Sequence, residues 1–174
     1  TTTAKVMPSL RRFPDMQARV ASRFPRRQRR VGPTIDDMSE TPELSPTDWV
    51  RDQTEKILAA GTTEAVQLSG MKIVLFTTTG AKSGKKRYVP LMRVEEEGKY
   101  AMVASKGGAP QHPSWYFNVK AHPEIQVLDG DVWTTMTARE LPEGDEREHW
   151  WTLAVAAFPP YAEYQTKTDR LIPV

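Results

Sequence analysis

Between Thr77 and Arg87 the chain reads Thr-Thr-Thr-Gly-Ala-Lys-Ser-Gly-Lys-Lys-Arg, flanked by two short apolar runs. A turn between strands needs only the glycines. The hydroxyls and cations add donors that converge on a negative group in the loop's mouth. Lys82 and Arg87 are the leading candidates; Ser83 can donate its hydroxyl, and Gly80 and Gly84 let the backbone turn and approach closely. A second loop, Ser105-Lys106-Gly107-Gly108-Ala109-Pro110, repeats that chemistry. Alone, the first loop reads equally well as a solvated charged hairpin. Two such loops in one small domain suggest a phosphorylated ligand.

Trp115, Tyr116 and Asn118 follow at once. An aromatic shelf with an amide beside phosphate donors suits a flat heterocycle with a phosphate tail, although ordinary helix packing accounts for part of the set. Near the C-terminus, Phe158, Tyr161 and Tyr164 supply aromatic surface around Pro159 and Pro160. A tyrosine hydroxyl there could orient a substrate or donate a proton; the alternative is a helix packing its aromatics on the body of the domain. The chain has no cysteine, which excludes disulfides, Cys-ligated metals and thiol catalysis, and its three histidines show no metal-ligand spacing. Neither GxGxxG nor GxxxxGK[ST] is present, which counts against Rossmann and P-loop binding.

The elements that position these residues follow from periodicity. Ser45 as N-cap, Pro46 at N1, Asp48 in the first turn and Gly61 just past the end predict a helix with Val50, Ile57 and Leu58 toward the core and Trp49 beside them. Strands are expected at Met71–Thr78, Tyr88–Val94, Tyr100–Ala104, Ile125–Leu128 and Val132–Ala138, the last two joined by the hairpin signal Asp129-Gly130-Asp131. Helices are expected at Pro113–Ala121, Pro142–Ala157 and Tyr161–Thr168. Closely spaced strands with tight turns and few helices predict an α+β fold built on a small antiparallel barrel.

The charge is uneven. Residues 1–30 hold nine Lys or Arg against one acid, leaving a mildly acidic body in residues 31–174. Phe13, Met16, Val20 and Phe24 fall near helical spacing in this arm, which reads as a basic amphipathic surface anchor or as a disordered tail. No DNA-reading motif or aromatic platform accompanies it, so nucleic acid is not an expected partner. The division expected is a basic arm and linker over 1–46 and one binding domain over 47–174. No apolar run approaches the ~18 residues of a membrane span, so the expected location is the cytoplasm, with peripheral contact at the inner face of the membrane if the arm is an anchor.

Four ordered blocks, TTTGAKSGKKRYVPL (77–91), VASKGGAPQHPSWYFN (103–118), AHPEIQV (121–127) and FPPYAEYQTKTDRLIPV (158–174), give the chain a specific resemblance to the deazaflavin-dependent nitroreductase family of actinobacteria, the reductases that use coenzyme F420. The resemblance implies an antiparallel split β-barrel with flanking helices, of the kind that also binds FMN. By position, Lys82, Ser83, Arg87, Val89, Pro90 and Leu91 would line the deazaflavin and its phosphate, and Ser105, Lys106, Trp115 and Asn118 would complete that site. Phe158, Tyr161 and Tyr164 match positions that face substrate, with Phe158 standing where some relatives carry Tyr. Ala81 departs from an Arg frequent in the family; Lys85 and Lys86 are the cations placed to compensate. The activity implied is hydride transfer from the reduced coenzyme to an electron-poor acceptor: an activated alkene, a quinone or a nitro-heterocycle. Tyr161, Ser105 or solvent would supply the proton. An FMN enzyme of related fold and a non-catalytic protein that sequesters the coenzyme or a quinone are the competing readings. A homodimer is expected, because split barrels often pair to cover their edges.

Overall fold

The strand Met71–Thr79 (β2) is buried on both faces from Ile73 to Thr78, and everything else is arranged around it. The computed structural model describes residues 41–174; the basic arm and the amphipathic helix expected in it lie outside the described residues. Pairing between the described strands is antiparallel throughout. β2 pairs along its length with Lys86–Met92 (β3), at its start with Gln67–Leu68 (β1), and through Leu75–Thr77 with Glu124–Asp129 (β6), beyond which lies Val132–Thr137 (β7). Glu95–Glu96 (β4) and Lys99–Tyr100 (β5) form a separate two-stranded ribbon.

The alternation of β2 divides its apolar residues between two clusters. Ile73 and Leu75 meet Leu128 and Ile57 of the helix Asp48–Ala60 (α1), whereas Val74 and Phe76 meet Ile125 and Val127, with Val89, Leu91, Tyr100, Met102 and Met136 packed around them. A third cluster gathers Met92, Val103, Trp150 and Ala154 of the helix Asp145–Ala157 (α3), Tyr161 of the helix Pro160–Thr166 (α4), and Ile172. Pro90 is tolerated in β3 because at that position the strand pairs with β2 alone, Leu75 lying opposite.

Several expectations need correction. α1 begins at Asp48, two residues after Pro46, and Ser45 is not its cap; the Ser45 hydroxyl accepts from the Thr47 N–H instead. Its buried stripe runs through Thr54 and Ile57, and Thr54 is tolerated there because its hydroxyl donates to the Val50 carbonyl. Leu58, about 100° round the helix from Ile57, is exposed, and Trp49 is 59% exposed. The chain pairs as a strand at Lys99–Tyr100 only, so the expected Tyr100–Ala104 strand stops early; Ala104 N–H instead reaches the Pro173 carbonyl. α3 starts at Asp145 rather than Pro142, after Gly144, and α4 ends at Thr166. The 129–131 hairpin is confirmed with Asp129 paired to Val132, and Thr63 pins the turn by exchanging two hydrogen bonds of 2.9 Å with Gly130.

Candidate active site

The loop between Thr79 and Lys86 is closed by Gly80 N–H donating to the Lys85 carbonyl (2.8 Å) and Gly84 N–H to the Gly80 carbonyl (2.9 Å). Gly80 leaves room for Ser83, whose Oγ folds over it, 2.5 Å from where a Cβ would stand, and accepts from Lys85 N–H. The loop's position is fixed from outside by Asn118, a buried residue of the helix Ser114–Ala121 (α2), whose Oδ1 accepts from Ala81 N–H at 3.0 Å. Asn118 thus reaches the site as a clamp on the loop backbone. Ala81 itself points its side chain to solvent. Thr78 Oγ1, at the root of the loop, is buried with no hydrogen-bond partner among the described residues.

Glu43 adds an anion that no local pattern marks. It bridges to Arg87 beside β3, with its N–H donating to the Lys86 carbonyl and its carbonyl accepting from Tyr88 N–H. Its carboxylate holds Lys85 Nζ at 2.8 Å and Arg87 Nη2 at 2.7 Å. The Lys85 hydrogen bond, with the charges of Arg87 and Lys85, keeps the carboxyl below its ordinary pKa against a smaller opposing effect of burial. A carboxylate therefore already occupies two of the loop's cations, while Lys82 has no partner among the described residues. Phosphate oxygens present the same acceptor chemistry as this carboxylate, so the donor set fits a phosphorylated ligand.

The second loop is a turn of 3-10 helix at Lys106–Gly108. Ser105 in the right-handed region followed by Lys106 at φ 47° is the pair that turns successive N–H groups to one side. Gly107 and Gly108 continue with positive φ. Arg170, another residue missed from sequence, holds this loop through three carbonyls: Nε donates to Ala109 O (2.9 Å), and Nη2 to Ala104 O (3.1 Å) and Ser105 O (2.9 Å). Its Nη1 lies 3.2 Å from His112 Nδ1. Because guanidinium is always a donor, His112 is neutral there with its proton on Nε2, and burial together with the Arg170 charge lowers its pKa.

α4 packs against the same loop, with Gly108 in contact with Tyr164. Phe158, Tyr161 and Tyr164 form one aromatic cluster, the Phe158 and Tyr161 rings edge to face with centroids 4.9 Å apart. Tyr161 is 4% exposed, and its hydroxyl has no hydrogen-bond partner among the described residues. Burial, with Tyr164 beside it, pushes that hydroxyl's pKa well above the ordinary tyrosine value.

A cavity of about 600 Å³ reaches the start of the second loop at Ala104 and is lined among others by Phe76, Tyr100, Met102, Trp115 and Val119. Of the site residues expected from sequence, Trp115 alone lines it. α2 joins the two features, presenting Trp115 and Val119 to the cavity and Asn118 to the cation-rich loop. Val89 and Leu91 lie behind the cavity wall, packed on the Val74–Phe76 cluster. No group of His, Cys, Asp or Glu among the described residues could hold a metal ion, and no described helix is long and apolar enough to cross a membrane.

Comparison with known proteins gives the arrangement a context. The model of the F420H(2)-dependent quinone reductase family matches residues 49–174. The chain is 35% identical over 103 residues to an F420H(2)-dependent quinone reductase of Mycobacterium tuberculosis, a match covering 58% of this chain and 69% of that protein. A solved structure described as a domain-swapped dimer is 76% identical, with a TM-score of 0.58 over 74% of this chain and 96% of its own. A second, an F420-H2 dependent reductase, is 80% identical, with a TM-score of 0.53 over 58% of this chain and 89% of its own.

Proposed function

The chain belongs to the F420H(2)-dependent quinone reductase family, and from that premise we propose that it seats the coenzyme's phosphate on the Lys82–Arg87 loop and its deazaflavin ring in the Trp115 cavity, for the reduction of quinones. The protein is an oxidoreductase that uses coenzyme F420, and the FMN reading gives way to that. The observation that carries the assignment of the loop is the carboxylate of Glu43 held by Arg87 and Lys85, an anion already in place on the loop's cations.

When bound, reduced coenzyme F420 supplies a hydride, and its carbon-centred ring disfavours one-electron reaction with oxygen. The protein's own tasks are to bind, orient and exclude water. Lys82, Ser83 and Arg87 would hold the phosphate; Trp115 and Met102 would present apolar surface that sheds water; Ser105 and Lys106, next to the cavity residue Ala104, would face the ring and acceptor. Reduction of a quinone to a hydroquinone consumes a proton as well as a hydride. Tyr161 is assigned as its donor from its place in the Phe158–Tyr164 cluster of the helix that packs on the second loop; burial keeps its hydroxyl protonated, so the proton passes only to the strongly basic oxyanion that hydride addition leaves on the acceptor. Phe158 and Tyr164 pack against it and set the shape of the acceptor site. Activated alkenes and nitro-heterocycles are electron-poor in the same way and belong in the same acceptor panel.

The split barrel is part of this reading. The β2, β3, β6 and β7 sheet forms one wall and the β4–β5 ribbon with residues 101–104 the other, supported by Tyr100 and Met102 packing on the Val74–Phe76 face. A second copy of the chain is the proposed partner, supported by the domain-swapped dimer among its relatives.

Two measurements test the assignment. Lys82→Ala and Arg87→Ala are each expected to raise the coenzyme dissociation constant about tenfold, read by titrating the coenzyme's fluorescence; unchanged affinity in both removes the phosphate from this loop. Tyr161→Phe is expected to cut kcat with quinones about 100-fold while leaving coenzyme affinity intact. In the wild type, the activity should show no alkaline decline from Tyr161 near the ordinary tyrosine pKa. A Tyr161→Phe enzyme with full kcat would transfer the proton step to Ser105 or solvent.

A further inference from the structure

Glu43 occupies the cations assigned to the coenzyme's phosphate, and its own backbone keeps it there. Two main-chain hydrogen bonds, Glu43 N–H to Lys86 O (2.8 Å) and Tyr88 N–H to Glu43 O (3.1 Å), fasten it beside β3. Its side chain then spans Lys85 and Arg87 at once. We infer that Glu43 is a specificity-determining residue of the coenzyme site, a tethered carboxylate that a multiply charged ligand displaces from Arg87 and Lys85 and a simple anion does not. The inference rests on the assignment of the Lys82–Arg87 loop to the coenzyme's phosphate.

The argument is one of competition. The two pairs are exposed, so each is individually weak and the side chain can swing away without disturbing the backbone bridge. The bridge nevertheless keeps the carboxylate at a high effective concentration over the loop. A free inorganic anion arrives alone and must beat a rival that never leaves. A coenzyme whose ring is seated in the Trp115 cavity is tethered in its turn, and Lys82, which has no described partner, offers its phosphate a first foothold. Once displaced, Glu43 remains close and repels the incoming anion. The residue thus lowers affinity for every anion and for simple ones most, leaving the loop open to a ligand held elsewhere as well.

The test titrates oxidised coenzyme F420 into wild-type protein and into Glu43→Gln, following the coenzyme's fluorescence with and without inorganic phosphate. Glu43→Gln keeps both main-chain hydrogen bonds and removes only the charge. It is expected to bind the coenzyme about three- to tenfold tighter, and inorganic phosphate should compete in this variant at concentrations that leave the wild type unaffected. Glu43→Asp keeps the charge on a shorter arm that cannot span both cations, and should fall between the two. Unchanged or weaker coenzyme binding in Glu43→Gln, or equal sensitivity of both proteins to phosphate, overturns the inference. Arg87→Ala separates this failure from the larger one. If Arg87→Ala weakens coenzyme binding while Glu43→Gln changes nothing, only the role of Glu43 is lost; if Arg87→Ala also leaves binding intact, the loop does not hold the phosphate.

Discussion

Replacing Arg170 with Ala is expected to lower kcat/KM for a simple naphthoquinone about 100-fold and to reduce stability by about 2–4 kcal/mol. Both effects have the same source. Ala104, Ser105 and Ala109 carbonyls accept from one guanidinium, so its removal leaves three partly buried acceptors short of a donor. Those carbonyls belong to the segment that positions Ser105 and Lys106, and a shift of about 1 Å there is enough to misplace an acceptor relative to a hydride donor. Arg170→Lys is the informative companion. A single ammonium cannot fork across three carbonyls, so it should recover part of the stability and little of the activity. His112 gives an independent signal. Its pKa is lowered by burial first and by Arg170 second, so in Arg170→Ala it should rise part of the way toward the ordinary histidine value in an NMR titration. The sign for stability follows: a group with a depressed folded pKa stabilises the fold above its unfolded pKa, and that contribution is lost as pH falls through the folded value. Wild-type protein should therefore lose stability below the usual histidine range, and His112→Gln should flatten that decline. Urea unfolding and steady-state rates check the first part; an Arg170→Ala enzyme with wild-type kcat/KM would mean the loop needs no clamp.

How much of this was legible depended on whether a residue acts through its neighbours in sequence or across the fold. The Thr77–Arg87 hairpin was readable because strands, turn glycines and cations are all local, and Thr79 does pair with Lys86 across it. The helix carrying Trp115 and Asn118 was equally local. What Asn118 does was not, because its partner is Ala81 N–H, 37 positions away. Arg170 bonds to carbonyls more than 60 residues distant, and nothing in its neighbourhood distinguishes it from any other C-terminal arginine. Glu43 lies in a proline-flanked stretch that reads as linker; only the register that brings it beside Arg87 gives it a role. The Trp49 and Leu58 errors have another cause. Helical periodicity sets a stripe's spacing but not its width, and here the stripe is narrow enough to include Thr54 and exclude Leu58. The short pairing at Lys99–Tyr100 reflects competition for backbone groups: the C-terminal segment takes the Ala104 N–H through Pro173, which no local pattern anticipates.

Gly108→Ala should be severely damaging, and Gly107→Ala, one residue earlier, comparatively mild. Both glycines have positive φ, 66° at Gly107 and 83° at Gly108, so both variants carry left-handed backbone strain of about 1–2 kcal/mol. They differ in what surrounds them. A Cβ on Gly107 meets nothing within 4 Å, whereas one on Gly108 would lie 2.7 Å from the Tyr164 carbonyl oxygen, 2.8 Å from Lys167 Cβ and 3.2 Å from Tyr164 Cα. Two of those three atoms are backbone of α4, so the clash cannot be relieved by turning a flexible side chain. Either the Ser105–Gly108 loop withdraws or α4 moves, and with α4 go Tyr161, the assigned proton donor, and Tyr164. The expected stability loss is about 1–2 kcal/mol for Gly107→Ala and about 3 kcal/mol or more for Gly108→Ala. kcat/KM should fall more than about 100-fold in Gly108→Ala and stay within about fivefold of wild type in Gly107→Ala. Coenzyme binding discriminates the cause. The Lys82–Arg87 loop is clamped by Asn118, not by α4, so a Gly108→Ala protein that still folds should retain most of its coenzyme affinity while losing turnover. Equal stability losses in the two variants would show that backbone strain alone sets the cost and that α4 does not lean on this glycine.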